Sequence, residues 1–414
     1  MPYSSLPLGG NVRALRRAKG FNQERLAEVT GLAVRTIQKI EGGGHARMET
    51  LRLIAQALGA STTELFTADA PEPVVGDERT RQVLAPLRQA LMPPIGLTET
   101  LSFPGTPVSL ADLRQRVHDG HTLYHADSYQ SVARDLPGLL RSTEATVASL
   151  DGEEREESLV VRASALLLAG KYLTQVRQYD MAYHALSEAI TIGRESGKQL
   201  TAATGVIGMC WLLLRQDRFD ESEQLAAVTA EQIEPRMTGA PSGQYAAWGE
   251  LSLRIASAAI RNNRPDEAKA ARRMADSAAG ALGREHIDYT THWTSFGPVT
   301  AALKEVEDRA ITGDWRGVLS HSDQDRLSPK SLRKVGKPST NNWDRHRLDV
   351  AKAHVKLGST QDAMNELMQL REHSGHWLKH QPMARYVMTD LLKKRQRPLT
   401  MEMREMAAHL GVRD

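Results

Sequence analysis

The feature that most restricts how this chain can fold is a turn that recurs along its second half. Short polar stretches followed by a small residue occur as RQYDMA ending at Ala182, QDRFDES at Ser222, NRPDEA at Ala268, GDWRGV at Val318 and GSTQDA at Ala363. Successive copies lie 40, 46, 50 and 45 residues apart. Apolar residues between them follow the 3.6-residue period of helices, with little β-branched alternation. Each turn therefore joins an upstream helix to a downstream one, and the unit is a helical hairpin. One hairpin cannot bury its own apolar face, so the copies must stack on a continuous core. A further helix pair is expected ahead of them, from about Ser109 to Leu150.

In the first copy, Leu166, Ala169, Gly170, Leu173, Ala182, Leu186 and Ala189 alternate small and large side chains, which resembles a tetratricopeptide repeat. The spacings are longer and less even than the 34 residues or so of a regular array. The expectation is a degenerate, tetratricopeptide-like α-solenoid. On the inner helices of such hairpins the resemblance points to Lys171, Thr174, Trp211, Arg215, Leu253, Ser257, Arg261, Arg345 and Lys352 as lining a concave face. Lys171, Trp211, Arg215, Arg261 and Lys352 form the candidate effector pocket. Trp211 and Arg215 stand one helical turn apart, an aromatic platform beside a cation suited to an acidic or aromatic ligand or a peptide carboxylate. The competing reading puts Trp211 in the core and Arg215 in solvent.

At the front of the chain, Gly20 to Gly44 reads GFNQERLAEVTGLAVRTIQKIEGGG. Asn22 can cap a helix, with Phe21 and Leu26 stapling its start, and Gly31 can end it in the left-handed conformation. A second helix follows from about Val34 to Glu41, with Ile37 and Ile40 inward. Two short amphipathic helices across a tight turn have the form of a helix-turn-helix. An earlier helix from about Asn11 to Lys19, METLRLIAQAL ending at Gly59, and the short STTELF complete five helices. The run RRAKGFNQERLAEVTGLAVRTIQKIEGG followed by METLRLIAQALGASTTELF resembles the phage-repressor (Cro-like, xenobiotic-response-element) helix-turn-helix family over residues 8–66.

That resemblance implies that Asn22 and Gln23 contact phosphate, that Val34, Arg35, Thr36 and Lys39 face base edges, and that Arg16 and Glu41 form an internal ion pair. Independently, Arg35 and Lys39 are one turn apart and can enter a groove from one helix face, where an Arg fork matches guanine O6 and N7. Arg47 and Arg52, near the GGGHAR loop and the fourth helix, suit the DNA backbone better than bases. Ala33 stands where relatives often have a Ser or Thr cap, at a cost of about 1 kcal/mol.

Charge distribution agrees with this placement. Residues 1–66 carry nine Lys and Arg against five Glu, a balance of +4, so the rest of the +3 chain sums to −1. A polyanion-facing surface belongs at the front. The single cysteine, Cys210, excludes an internal disulfide framework and fits a reducing compartment, where a buried small residue is its default role. No secretory leader is visible in MPYSSLPLGGN. The longest uncharged apolar run, Leu200 to Leu214, is shorter than the roughly 20 residues a membrane crossing needs. A cytoplasmic protein is expected.

Two histidine triplets share a spacing, His118, His121, His125 and His373, His376, His380. Gly120 and Gly375 are expected to interrupt both helices, which makes surface histidines the better reading than a metal site. No phosphate loop, nucleophile elbow or carboxylate pair emerges, so neither catalysis nor a cofactor is expected. The whole is then an all-α chain: a DNA-binding domain at 1–66, a Pro-bearing linker with a short helix at 67–105, and a repeat domain at 106–414. It resembles bacterial transcription regulators with a repressor-type head on a tetratricopeptide-like body, which implies a homodimer on palindromic double-stranded DNA, modulated by a peptide or small molecule. The alternative is a repeat-based adaptor that sequesters a partner protein, with DNA binding secondary.

Overall fold

The computed structural model describes residues 8–44, 46–60, 62, 65, 78–97, 105–236, 239–394 and 399–412. Its regular elements are all helical, and an isolated bridge pairs His286 with Phe296. The head holds α1 (Leu8–Ala18), α2 (Gln23–Thr30), α3 (Val34–Glu41) and α4 (Met48–Leu58). Asn22 Oδ1 accepts from the Arg25 N–H at 2.6 Å, capping α2, and Gly31 at φ 68° ends it. Ala33 gives α3 no side-chain cap. Val12, Leu26, Ile37, Ile40, Leu51 and Ile54 form the head's core. The first helix begins at Leu8, ahead of the expected Asn11, because Leu8 packs against that core. Of the expected fifth helix, residues 61, 63, 64 and 66 lie outside the described residues, while Thr62 and Leu65 are helical and buried.

The segment between head and repeats is not all slack tether. The short helix expected there, α5 (Glu78–Leu91), buries Leu84, Leu87 and Leu91 in the body's core. Tether residues 67–77 and 98–104 lie outside the described residues. Then come the hairpins. They pair α6 (Leu110–His125) with α7 (Tyr129–Ser149), α8 (Gly152–Gln175) with α9 (Tyr179–Glu195), and α10 (Gln199–Arg215) with α11 (Phe219–Gln232). Next are α12 (Ser242–Arg261) with α13 (Pro265–Leu282) and α14 (Pro298–Thr312) with α15 (Trp315–Ser322). A 3₁₀ turn (Asp325–Leu327) and α16 (Pro329–Val335) lead to α17 (Thr340–Leu357) with α18 (Thr360–Lys379), then α19 (Pro382–Lys394) and α20 (Met401–Leu410). The expected early pair is α6 with α7. No described helix is long and apolar enough to cross a membrane.

All five expected turns join such pairs, and the α6–α7 turn shares their backbone. Asp127, Arg177, Asp217 and Asn263, at φ 58–63°, and Gly313 and Gly358 are left-handed. Asp and Asn tolerate this conformation well, whereas Arg177 adopts it at a steric cost. The next residue's carbonyl accepts the N–H four positions on, as in Gln178 to Ala182 at 2.9 Å and Ser359 to Ala363 at 3.1 Å. That fourth position carries Ala182, Ser222, Ala268, Val318 and Ala363, all buried. A small side chain there lets the downstream helix start close to the upstream one.

The inner face is not an open concavity. The connection between α13 and α14, residues 283–297, folds back across α8, α10 and α12. Ser164 Oγ and Thr204 Oγ1 donate to the Thr290 and Thr291 carbonyls at 2.7 and 2.8 Å. Trp293 lies on Gly208 and Phe296 on Gly249, where an added Cβ would fall 2.3 and 2.0 Å from ring carbons. Only glycine admits rings that close to a helix axis.

Candidate functional site

On α3, Arg35, Gln38 and Lys39 are exposed, whereas Thr36 is half-buried and Val34 packs partly onto the head core. Arg35 and Lys39 have no ion-pair or hydrogen-bond partner among the described residues. This is the donor-rich face expected from their spacing. Gln38, not singled out by the spacing argument, completes it; its position one turn from Arg35 was readable, and its carboxamide can pair bidentately with adenine.

Behind this face the helices are tied by one carboxylate. Glu41 is buried, and Arg16 clamps it with Nε–Oε1 at 2.5 Å and Nη2–Oε2 at 3.0 Å. Arg16 Nη1 also donates to the Phe21 carbonyl at 2.7 Å. Burial alone would raise the Glu41 carboxyl, but hydrogen bonds from Arg16 and Gln23 and the Arg16 charge hold it below its usual value. The hydrogen bond to Glu41 outweighs desolvation at Arg16, whose guanidinium is raised. Gln23, expected at phosphate, donates from Nε2 to Glu41 Oε2 at 2.8 Å, drawn toward a buried charge that needs donors. Asn22 stays exposed, its oxygen committed to the cap.

The two expected backbone contacts separate. Arg47 is exposed at the start of α4. Arg52 instead faces the body: it pairs with Asp220 and donates to Asn262 Oδ1 at 2.5 Å. Beside it Asn263 Nδ2 donates to Glu49 Oε2 at 3.1 Å. Two hairpin turns thus hold α4, and Arg52 is not available to phosphate in this arrangement.

Of the expected effector residues, Lys171, Trp211 and Arg215 line a common cavity, joined there by Arg345 from the expected concave face. Arg261 does not; it donates to Glu307 Oε1 at 2.9 Å and to the Ser257 carbonyl. Lys352 lies apart, its Nζ 5.1 Å from the Trp315 ring centre. Thr174, Leu253 and Ser257 are buried in helix packing. Lys171 is 1% exposed, with Nζ bonded to the Tyr289 and His292 carbonyls at 3.0 and 2.9 Å, and burial pushes it down to about 7. Trp211 is half-buried, with the Arg215 guanidinium 5.1 Å from its ring centre. Arg254, Lys304 and Trp293 also line the cavity and escaped the repeat-position count, because they come from other helix faces and from the 283–297 connection.

The histidines need correction. His121 and His125 are buried and α6 runs unbroken through Gly120, since its missing side chain makes room for Leu168. His373 and His376 are exposed, and the second helix does bend, at Ser374 beside Gly375. Among the described residues no three His, Cys, Asp or Glu side chains converge as a metal site would require. Cys210 is buried against Ser222, and desolvation pushes its thiol up to about 12.

Residues 12–65 match a family model described as helix-turn-helix. No curated protein and no solved structure matches the chain. The match makes the head a helix-turn-helix unit, and the geometry of α3 agrees with a DNA-binding regulator.

Proposed function

We propose that the chain is a sequence-specific DNA-binding transcriptional regulator, acting in the cytoplasm by binding rather than catalysis. The observation that carries this reading is the α3 face, where Arg35, Gln38 and Lys39 stand exposed and unpaired on a helix held by the buried Arg16–Glu41–Gln23 cluster. Val34, Thr36, Asn22 and Arg47 border that face and add apolar, hydroxyl and backbone contacts. The body is a degenerate tetratricopeptide-like solenoid, a reading supported by its shared turn backbone and the buried fourth residue after each turn. It pairs two chains so that their α3 helices enter successive major grooves of a palindromic site, with half-site centres about 34 Å apart. A small molecule bound in the body shifts that pairing through different affinities for two arrangements.

The test is selection of bound fragments from random DNA, followed by titration of the selected site. Arg35→Ala and Lys39→Ala should each cost about 1–3 kcal/mol of discrimination. Arg47→Ala should weaken all sequences alike and lower the salt slope by about 1. Selectivity unchanged in the Arg35/Lys39 double variant would remove α3 as the reading helix. Light scattering that finds a monomer at micromolar concentration would remove the dimer.

A further inference from the structure

The cavity between the body's inner helices measures about 90 Å³. Five cationic side chains line it, Lys171, Arg215, Arg254, Lys304 and Arg345, and no described carboxylate does. Acids stand behind the lining: Glu307 accepts from Lys304 at 2.7 Å, Asp349 lies 3.9 Å from Arg345, and buried Glu250, which burial raises to about 7, faces Arg254 and Lys171. Glu307 is shared with Arg261, and Asp349 also faces Lys352, so positive charge stays in excess. Burial, then the neighbouring Arg345 charge, push the Arg215 guanidinium down to about 10.

The dipoles around the same space are also incomplete. His125, Gln175 and Gln381 are at most 9% exposed and line the cavity, yet both His125 ring nitrogens, Gln175 Nε2 and Gln381 Oε1 have no hydrogen-bond partner. Arg254 Nε is likewise unpartnered. Buried polar atoms in a native fold are nearly always paired, so this group marks a place for a guest. The volume is that of about three waters at ~30 Å³ each. Water would satisfy the dipoles but leave the charge excess uncompensated.

We propose that this cavity binds a compact oxyanion carrying two or more negative charges, a phosphate group or a short dicarboxylate, through Arg215, Arg254 and Arg345. Charge-assisted bonds to guanidinium suit such oxygens, and Trp211 braces Arg215 from one side. Lys171, fixed by two carbonyls, adds charge without moving. As the effector of a regulator the anion rests on the function proposed above; its binding rests on the cavity alone.

The full chain is titrated at constant ionic strength with inorganic phosphate, with malonate, and with chloride as the control. Calorimetry follows binding, and tryptophan fluorescence reports the site, since Trp211, Trp293 and Trp377 form part of its wall. The expected result is saturable binding of phosphate or malonate at one per chain, a fluorescence change absent with chloride, and a thermal midpoint that rises with the bound anion. Which of the two binds distinguishes phosphate from dicarboxylate sources. Arg215→Gln and Arg345→Gln should each weaken binding at least tenfold. If one variant fails to fold, the other decides. Saturation by neither anion, or unaltered affinity in the folded variants, overturns the proposal. DNA selection in parallel keeps the readings separate: anion binding without DNA selectivity sinks the regulator alone, and the converse sinks this site alone.

Discussion

The α3 face and the body cavity both present cations with no carboxylate among the residues that line them, yet they pose opposite physical problems. Arg35 and Lys39 are solvated, so their charges cost nothing until a polyanion displaces water and counterions. Arg215 and Arg345 are half-buried in a cavity walled partly by tryptophans, so their mutual repulsion is screened less than at the surface and persists until something enters. The first arrangement suits a large partner that comes and goes with salt. The second suits a small one whose binding salt barely alters. A single chain can thus read a polymer with one end and an ion with its middle.

The largest effect that could break this comparison is at Glu41, which makes the head rigid without touching DNA. Glu41→Ala leaves Arg16 buried and unpaired, and removing one partner of such a pair costs about 3–5 kcal/mol. The expected outcome is an early unfolding transition of the head in denaturant, seen by circular dichroism, with the body's transition unmoved. A single transition that moves as a whole would show that head and body fold as one unit, and an unshifted one would show that Glu41 does not hold the head.

Acidification should separate the two regions in order. Burial holds His125 down to about 2, His292 to about 4, His346 to about 3 and His380 to about 4. Each stays neutral when folded and gains a proton when unfolded, so the body's stability is full above about 6.5 and falls as pH drops below it. Glu250, Asp344 and Asp349, raised by burial to about 7, 6 and 6, work in the opposite sense over part of that range. With His121 also lowered, the histidines outnumber them. Glu41, depressed in the folded head, contributes stability above about 4.5 and loses it only as pH falls further. The body's thermal midpoint should therefore drop first between pH 7 and 5; a head that melts first in that range contradicts the assignment.

The smallest expected effect concerns the contact between the regions. Asp220→Asn removes the charge paired with Arg52 and leaves only its bond to Asn262, and an exposed pair of this kind is worth about 0.2–1 kcal/mol. Non-specific DNA affinity should rise by less than tenfold, with a steeper salt slope, as Arg52 becomes free to meet phosphate. An unchanged slope would mean that Arg52 remains turned away from DNA.

Much of this was legible along the chain. The ends of α2 and α3, the outward Arg35 and Lys39, and all five hairpin turns follow from interactions within four or five residues: a cap, a left-handed turn residue, an apolar period. Gln23 read as a phosphate contact because its neighbours in sequence say nothing of Glu41, 18 residues away, whose buried charge claims it. Arg52 read as DNA-facing because Asp220 and Asn262 are remote. The 283–297 connection left one sequence trace, the longest turn spacing of 50 residues, and no sign that it would cross three helices.

The sequence by itself determined that the chain is helical, where the helix pairs turn and which face of α3 is offered to solvent, since backbone hydrogen bonds and caps close over short distances. Only the tertiary structure decided which polar side chains are buried together. Burial is set by what packs from far along the chain, and so a row of repeat positions expected to face an open groove became, with Trp293 laid on Gly208, part of a half-buried cationic cavity.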